Sequence, residues 1–222
     1  MKSSSSYNKE VIDEILEIYY VINKDIKKRL IEFSEIWENE TEENIFSELA
    51  FCLLTPQSKA KMCWGSICNL KEDNALICGN EEDILKFLYG VRFKYKKSKY
   101  IREARELFKK NGRISIKKEI EKFQNPFEMR EWLVKNVKGM GHKEASHFLR
   151  NVGKGRDLAI LDRHILKNLK LIGVIEEIPE SMTPSRYLQL EDIMRNFSSE
   201  IGIPMDHLDI VLWYKETREI FK

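Results

Sequence analysis

The sequence lacks several features that would place it in a broad class of protein. No apolar run is long enough to cross a bilayer, and the polar opening MKSSSSYNKE predicts no secretory signal. The four cysteines form no CxxC pair, and we interpret them as reduced cysteines of a cytosolic protein that lie mostly in the core: Cys52, Cys63, Cys68 and Cys78. A net charge of only +2 argues against a uniformly basic nucleic-acid-binding protein, so any DNA contact requires a local basic patch.

Alternating apolar and polar residues, the pattern of strands, are also almost absent. Apolar residues instead recur every three or four positions, as in VIDEILEIYYVINKDIKKRLIEFSEIW, ENIFSELAFCLLT and PFEMREWLVKNV, which predicts amphipathic helices. Glycines and prolines break these runs where helices should stop, at positions 56, 79, 90, 112, 126, 139, 153 and 179. The predicted fold class is therefore all-α, and 222 residues suffice for one large domain or two small ones that share a cleft.

One stretch of the chain, Arg92 to Arg113, is densely basic and carries interleaved aromatic residues. Its sequence, RFKYKKSKYIREARELFKKNGR, contrasts with the acidic ENETEEN at residues 38–44. Two interpretations stay open at this point: the solvated face of a helix, or a surface that contacts phosphate groups.

The segment WLVKNVKGMGHKEASHFLRN predicts a helical hairpin. One amphipathic helix ends at Lys138, a Gly-x-Gly turn follows, and a second helix begins at about His142. Gly139 and Gly141 permit a tight turn and leave no side chain to block an approaching ligand. The backbone N–H groups of both glycines and of Lys143 then face outward at a helix start, where an anion such as a DNA phosphate is favoured. An ordinary connection between two helices explains the same pattern.

Two further residues help to distinguish a DNA-binding hairpin from an ordinary connection between two helices. Lys143 lies in GMGHK and Asp162 in AILDRH, and this pair resembles the signature of the helix-hairpin-helix DNA glycosylase superfamily. The strings GMGHKEASHFLRNVG and LDRHILKNL, together with the final MDHLDIVLWYKETREIFK, are similar to the archaeal-type (type 2) branch of 8-oxoguanine DNA glycosylase/AP lyases. The resemblance covers roughly residues 45–222 and rests on three separated motifs.

The resemblance implies two helical subdomains with an active-site cleft between them. We expect a helical bundle at residues 45–155 that contains the helix-hairpin-helix motif. The second lobe is expected to comprise residues 1–44 and 156–222, and to carry the catalytic aspartate loop and a C-terminal base-reading helix. Asp162 is also well placed to be the N-cap of a helix that begins at about Arg163, and the two roles are compatible.

The implied activity is base excision repair by a bifunctional enzyme. Lys143 is expected to attack C1′ of the deoxyribose, displace 8-oxoguanine and form a Schiff base that permits β-elimination of the 3′ phosphate. Asp162 is expected to stabilise the oxocarbenium-like sugar or to manage the proton of the amine. Two alternatives stay open: a glycosylase of the same superfamily for damaged pyrimidines or mismatches, and a non-catalytic hairpin module that only binds DNA.

The resemblance also suggests residues that handle an extruded nucleotide. Gln57 matches the loop residue that wedges into the vacated base stack, although a polar loop residue after a helix-ending proline is an equal interpretation. His147 lies one helical turn after Lys143 and is therefore expected on the pocket wall.

The last helix is expected to read the lesion. Asp209 and Trp213 are four residues apart, so an acceptor for base N–H groups and a stacking surface lie on one helix face. The family implicates the terminal lysine in recognising 8-oxoguanine, and this chain ends on Lys222 at the predicted close of that helix.

No cofactor is expected to be required. Members with an iron–sulfur cluster use four closely spaced cysteines after the hairpin, and this chain has none after Cys78. The family does suggest a monovalent cation that bridges to phosphate, held by the backbone carbonyls of Lys135, Val137 and Met140. We expect a monomer that acts on double-stranded DNA containing 8-oxoguanine, without a membrane partner, in the cytoplasm and nucleoid of a prokaryote.

Overall fold

The computed structural model of this chain describes residues 7–222, and these residues are mostly helical. The prediction of an all-α fold is confirmed by this architecture. Among the described residues, no helix is both long enough and apolar enough to cross a membrane. The first six residues, which belong to the predicted lobe 1–44, lie outside the described part of the chain.

Within residues 7–222 the chain forms twelve helices. In chain order they are α1 (Lys9–Asn39), α2 (Glu42–Leu54), α3 (Ala60–Glu72), α4 (Ala75–Cys78), α5 (Glu81–Phe87), α6 (Lys94–Phe108), α7 (Lys117–Ile120), α8 (Pro126–Asn136), α9 (His142–Asn151), α10 (Arg163–Ile172), α11 (Pro184–Ile201) and α12 (Met205–Thr217).

One small element is not helical. Strands β1 (Lys109–Lys110) and β2 (Arg113–Ile114) pair antiparallel after α6. Asn111 and Gly112 connect them with φ angles of +50° and +81°, which suits an Asn-Gly turn of a tight hairpin. The Asn-Gly pair is the local signal for this hairpin, and a search for helical periodicity misses it.

The structure divides the chain into two compact units. The terminal unit comprises residues 1–32 and 155–222, and the middle unit comprises residues 33–154. The first division therefore falls within α1, whereas the expected lobes divide at 44/45. The reason lies in the packing of the end of α1, where Phe33 and Trp37 are buried in the middle unit. The Trp37 Nε1–H donates to Glu121 Oε1 at 3.2 Å.

The core of the terminal unit combines the first part of α1 with the last three helices. Ile15, Ile22 and Ile26 lie on one face of α1 and are buried. They belong to one apolar cluster with buried residues of α10, α11 and α12. These helices carry Asp162, Asp209 and Trp213 or lie directly beside them, so this core holds the predicted residues of the terminal unit in place.

The core of the middle unit is built around α2. Every residue from Ile45 to Leu54 is buried, and the helix contacts α3, α6 and α9. A helix that is apolar on all sides is typical of the interior of a domain. The buried Glu48 carboxylate accepts a bond from Asn151 Nδ2 at 3.2 Å, so it does not remain unsatisfied.

The predicted helical hairpin is formed by α8 and α9 in the middle unit. Helix α8 ends at Asn136 rather than at Lys138, and α9 begins at His142 as predicted. The Met140 N–H donates to the Val137 carbonyl at 3.2 Å, which closes the connection between the helices.

The two glycines of the hairpin turn differ in whether the backbone requires glycine at their positions. Gly139 has a φ of +84°, and a Cβ at this position would lie 2.2 Å from Cδ2 of Tyr100. Gly141 has a φ of −96° and a ψ of −177°, which any residue adopts. A Cβ on Gly141 would lie 3.1 Å from Oε2 of the flexible Glu144 side chain. The backbone therefore requires glycine at position 139 only.

We predict that Gly139→Ala destabilises the protein more than Gly141→Ala does. Alanine at position 139 must adopt left-handed dihedral angles and displace the Tyr100 ring, and we expect a loss of about 2 kcal/mol or more in the free energy of unfolding. Alanine at position 141 meets neither problem, and the expected loss is below about 1 kcal/mol. Urea denaturation of both variants measures the difference.

Gly112→Ala is the matched control for this prediction. Gly112 has a φ of +81°, and a Cβ added there would have no heavy atom within 4 Å, so alanine meets backbone strain alone. The loss should be about 1 kcal/mol. Equal losses at positions 139 and 141 would contradict the assignment of the turn geometry to Gly139.

Candidate active site

Lys143 lies in the first turn of α9, with its amine directed at the end of α2. Its Nζ donates to Thr55 Oγ1 at 3.2 Å and lies 3.5 Å from Glu144 Oε1. The Thr55 hydroxyl in turn donates to the Cys52 carbonyl at 2.9 Å. With 22% of its side chain exposed, the amine is held in a partly desolvated position from which it still reaches solvent.

A second lysine lies in the same region. Lys97 of α6 is only 4% exposed, and burial lowers the pKa of its amine. The positive charge of Lys143 lowers the pKa of Lys97 as well. The side-chain amines of two lysines therefore lie at the end of α2.

The neighbouring cysteines are poor competitors for nucleophilic chemistry. Burial raises the pKa of the Cys52 thiol well above its usual range and that of Cys63 to about 11. Both therefore stay protonated at neutral pH, and a thiol is a much weaker nucleophile than a thiolate.

All four cysteines are free, but only these two are buried, since Cys68 is half-buried and Cys78 is exposed. Two of the four therefore lie in the core, and the prediction that most of them do is wrong.

Gln57 occupies the turn that follows α2. It is exposed and has a φ of +54°, in the left-handed region that residues other than glycine seldom adopt. The turn is fixed on both sides, because the Ser58 N–H donates to the Thr55 carbonyl at 3.0 Å and Ser58 Oγ accepts from the Arg92 N–H at 3.0 Å. A residue held in this conformation by its surroundings is a typical feature of functional loops.

His147 is buried in the middle unit. Its side chain is 6% exposed, and its ring meets the ring of Phe51 edge to face, with 5.5 Å between the centroids. Phe51 belongs to α2, so His147 contributes to the packing of α9 on α2. The spacing to Lys143 did not predict this packing. The role of His147 in base recognition stays a prediction.

The basic stretch Arg92 to Arg113 is not one uniform surface. Lys97 and Arg105 are buried, and Arg105 Nη1 donates to the Leu76 carbonyl at 3.3 Å. The interpretation as a continuous solvated or phosphate-facing surface is therefore wrong for these two residues. The exposed basic residues lie at both ends of the stretch: Arg92, Lys96 and Lys99 around the start of α6, and Lys109, Lys110 and Arg113 in β1 and β2.

Three exposed aromatic residues accompany these charges, and the sequence reasoning assigned none of them a role. Tyr89, Phe93 and Tyr95 are 84%, 56% and 69% exposed. Phe93 is the residue before α6 and has a φ of +57°. Aromatic residues between lysines and arginines were visible in the sequence. The sequence does not reveal that these residues are exposed, or that this segment contacts the Gln57 turn through Ser58.

The amides at the start of α9 are only partly available to an anion. The Gly141 N–H donates to Glu144 Oε2 at 3.2 Å, so a carboxylate of the same helix already occupies one of the three predicted phosphate donors. The Val137 carbonyl, one of the three expected cation ligands, accepts the Met140 N–H. A carbonyl oxygen has two lone pairs, so this bond does not by itself prevent binding of a cation.

Asp162 of the terminal unit is the N-cap of α10, as predicted. Its Oδ1 accepts bonds from the backbone N–H groups of His164 at 2.8 Å and Ile165 at 2.9 Å. Both bonds go to Oδ1, which leaves Oδ2 outside the capping interaction. The capping role and a second role for the half-buried carboxylate are thus compatible in geometry.

The structure brings Trp213 of α12 next to the start of α10. The ring of His164, two residues after Asp162, meets the Trp213 ring edge to face with 5.0 Å between centroids. The Trp213 Nε1–H is buried and has no hydrogen-bond acceptor among the described residues. Asp209, one turn earlier on α12, is buried at 4% exposure. The predicted catalytic carboxylate and the predicted reading helix therefore belong to one packed neighbourhood.

The end of the chain differs from the prediction. Helix α12 ends at Thr217, because Arg218 adopts a left-handed φ of +58° and its N–H caps the helix at the Tyr214 carbonyl. Lys222 therefore lies beyond the helix rather than at its close, with a half-buried side chain. Ile220 packs against the core of the terminal unit, so the segment after Arg218 is held by apolar contact.

Comparison with known proteins places these features in a family. A sequence model of the family described as 8-oxoguanine DNA glycosylase matches residues 26–203. A protein of Fusobacterium nucleatum subsp. nucleatum named 8-oxoguanine DNA glycosylase/AP lyase is 51% identical over 213 residues, which cover 96% of this chain and 98% of that protein. A protein of Methanocaldococcus jannaschii with the same name is 40% identical over 216 residues, which cover 96% of this chain and 99% of that protein.

Solved structures agree with the sequence matches. The 8-oxoguanine DNA glycosylase of Thermotoga maritima superposes with a TM-score of 0.85 at 35% identity and covers 96% of this chain and 99% of that one. The Methanocaldococcus jannaschii 8-oxoguanine glycosylase/lyase in complex with a 15mer DNA containing 8-oxoguanine has a TM-score of 0.82 at 36% identity, with 96% and 100% covered. The resemblance carried by the three sequence motifs is thereby confirmed, and the chain belongs to the 8-oxoguanine DNA glycosylase family.

Proposed function

We propose that this chain is an 8-oxoguanine DNA glycosylase/AP lyase that excises 8-oxoguanine from double-stranded DNA through a lysine Schiff base. Relatives matched over nearly their whole length carry that name, and one related structure holds DNA with 8-oxoguanine. In the chain itself the proposal is carried by Lys143, a partly buried amine held by Thr55 at a helix start.

Covalent catalysis begins at the Lys143 amine. The Nζ lone pair forms a bond to C1′ as the glycosidic bond breaks, and the electron pair of that bond leaves with the base, which takes up a proton. The sugar ring then opens to an imine between Nζ and C1′. The imine makes the 2′ proton acidic, and β-elimination expels the 3′ phosphate and cleaves the strand.

The surroundings of Lys143 suit this task. The Lys143 side chain is 22% exposed, so the protein holds the amine in place and still leaves it accessible to a sugar. The Thr55 hydroxyl accepts a bond from Nζ and thereby fixes the position of the amine. Glu144 Oε1 lies 3.5 Å from Nζ, while Oε2 of the same carboxylate accepts a bond from the Gly141 N–H.

Asp162 stabilises the positive charge that develops on the sugar as the base departs. A carboxylate contributes most when its position does not have to change during the reaction. The two capping bonds to Oδ1 supply such rigidity and leave Oδ2 for the sugar or the amine proton.

The target nucleotide has to leave the duplex before C1′ is accessible, and the base stack then has a gap. Gln57 fills that gap in our proposal. Its exposure and its fixed left-handed conformation favour this role over that of an ordinary polar loop residue.

Recognition of the extruded base is assigned to α12 and the residues after it. Trp213 offers an aromatic surface and a buried N–H donor, and Asp209 offers an acceptor for base N–H groups. Lys222 contributes its amine and the terminal carboxylate. His147 is the fourth residue that we assign to base recognition.

The DNA backbone is bound by the hairpin and by the exposed charges near the start of α6. Gly139 and Gly141 let a phosphate approach the α9 N-terminus, where it competes with Glu144 for the Gly141 N–H. The carbonyls of Lys135 and Val137 lie at the end of α8 and that of Met140 lies in the connection to α9, and we assign a monovalent cation to these three oxygens. We propose that the enzyme requires no other cofactor and acts as a monomer in the cytoplasm, at the nucleoid.

The function is tested with duplexes that each carry one lesion, resolved for strand cleavage. We predict that the wild-type protein cleaves at 8-oxoguanine and that Lys143→Gln lowers this cleavage by about a thousandfold or more, because the nucleophile is lost. The control Lys170→Gln removes an exposed lysine of α10 with the same change of charge and should retain activity. Cleavage at damaged pyrimidines or mismatches instead of 8-oxoguanine would favour the alternative glycosylase. If none of the lesions is cleaved, the result would favour a non-catalytic DNA-binding module.

A second prediction separates lesion reading from chemistry. Deletion of Lys222, or a tag beyond it, should slow excision of 8-oxoguanine by about tenfold or more. Cleavage at a preformed abasic site should be largely spared, since no base has to be read there. Both rates are measured under single turnover. A parallel loss of the two rates, or no loss in either, would contradict a reading role for the terminal residue.

A further inference from the structure

Lys97 is a buried charge that the proposed chemistry does not use directly. Lysine is almost never fully buried unless its ammonium is paired, because a charge loses its hydration on burial. At 4% exposure, Lys97 is among the most buried charged residues of the described chain. Burial lowers the pKa of its amine, so the fold bears a cost to keep this side chain in place.

The Lys97 ammonium has a complete set of acceptors. Its Nζ lies 2.7 Å from the Leu54 carbonyl, 2.6 Å from the Pro56 carbonyl and 3.1 Å from Ser58 Oγ. An ammonium has three N–H donors, so three acceptors satisfy it fully. All three belong to one segment, residues 54–58, which we call the α2 turn.

The Lys97 ammonium is the charged donor to the Leu54 and Pro56 carbonyls of the α2 turn, which among the described residues otherwise receive only the Cys63 thiol, 3.2 Å from the Leu54 oxygen, and the Ser58 hydroxyl, 3.4 Å from the Pro56 oxygen. Leu54 is the last residue of α2, and its carbonyl lies where the helix no longer supplies an N–H partner. Proline at position 56 has no N–H of its own to offer within the turn. A single ammonium that joins the carbonyls of Leu54 and Pro56 with the Ser58 hydroxyl fixes the dihedral angles between them, including those of Gln57.

The conformation of Gln57 is the feature that depends on this support. Its φ of +54° lies in the left-handed region, which is unfavourable for a residue other than glycine, so the surroundings must enforce it. The Lys97 bonds to the residues before and after Gln57 supply that enforcement. The Arg92 N–H adds one further bond to Ser58 from outside the turn.

We infer that Lys97 is a positioning residue for nucleotide extrusion: its ammonium holds the α2 turn so that Gln57 enters the duplex in a fixed conformation. The inference rests on the proposed role of Gln57. Lys97 itself touches neither base nor sugar and acts through the turn.

The test is a double-mutant cycle of Lys97→Met and Gln57→Ala, measured as single-turnover excision of 8-oxoguanine from a duplex. Methionine keeps the length of the side chain but offers no donor. Each single variant should be slower than wild type by about tenfold or more, and the double variant should be no more than about twofold slower than the slower single variant. Cleavage at a preformed abasic site by Lys97→Met should stay within about threefold of wild type.

Lys71→Met is the matched control. Lys71 lies in the last turn of α3 in the same unit and is exposed, so this change removes the same charge without touching the α2 turn. It should lose less than about threefold in excision, since exposed charges contribute little individually. An equal loss in both variants would overturn the inference, because the effect would then be general attraction to DNA.

Ser58→Ala covers the case in which Lys97→Met does not fold. It removes one of the three acceptors and should give a smaller loss that is also non-additive with Gln57→Ala. The inference would be overturned if the rate losses of the two single variants multiplied in either double variant, or if Lys97→Met lost as much rate at the abasic site as in excision. Neither result would contradict the proposed enzymatic function. A wild-type protein that releases no 8-oxoguanine would refute the proposed function itself, and a fully active Gln57→Ala would refute the wedge and with it the role of Lys97.

Discussion

The end of α2 imposes the constraint on which the middle unit depends. A buried helix that stops inside a domain leaves carbonyl groups that no later residue of the helix can satisfy. Here Lys97 donates to the Leu54 and Pro56 carbonyls, and Thr55, which donates to the Cys52 carbonyl, accepts a bond from Lys143 through its hydroxyl. One five-residue turn thus holds the proposed nucleophile and the proposed wedge, and both depend on how that helix ends.

The terminal unit combines structure and chemistry in a similar way. Asp162 caps α10 with one oxygen and keeps the other outside the cap. His164, in the first turn of the same helix, packs on Trp213, so the position of the carboxylate and that of the proposed reading helix are linked by direct contact. We therefore expect a change to the helix start to affect the proposed catalytic and recognition roles together.

Local signals made part of this architecture predictable. The glycine turn gave the start of α9 at His142, and the aspartate before an apolar run gave the N-cap at position 162, because both depend on neighbouring residues. The burial of Lys97, the conformation of Gln57 and the end of α12 at Thr217 depend on contacts between residues far apart in the chain. Such contacts leave no periodic pattern. The basic stretch shows the difference, since composition alone does not separate the buried Lys97 from the exposed Lys99.

The central claim is that the Lys143 amine forms the covalent bond to DNA. Borohydride reduction during reaction with an 8-oxoguanine duplex, followed by proteolysis and mass spectrometry, identifies the residue that carries the sugar remnant. We predict that the adduct lies on the peptide containing Lys143. An adduct on Lys97, on Lys222 or on the N-terminal amine would contradict the account, and so would strand cleavage without any trapped adduct.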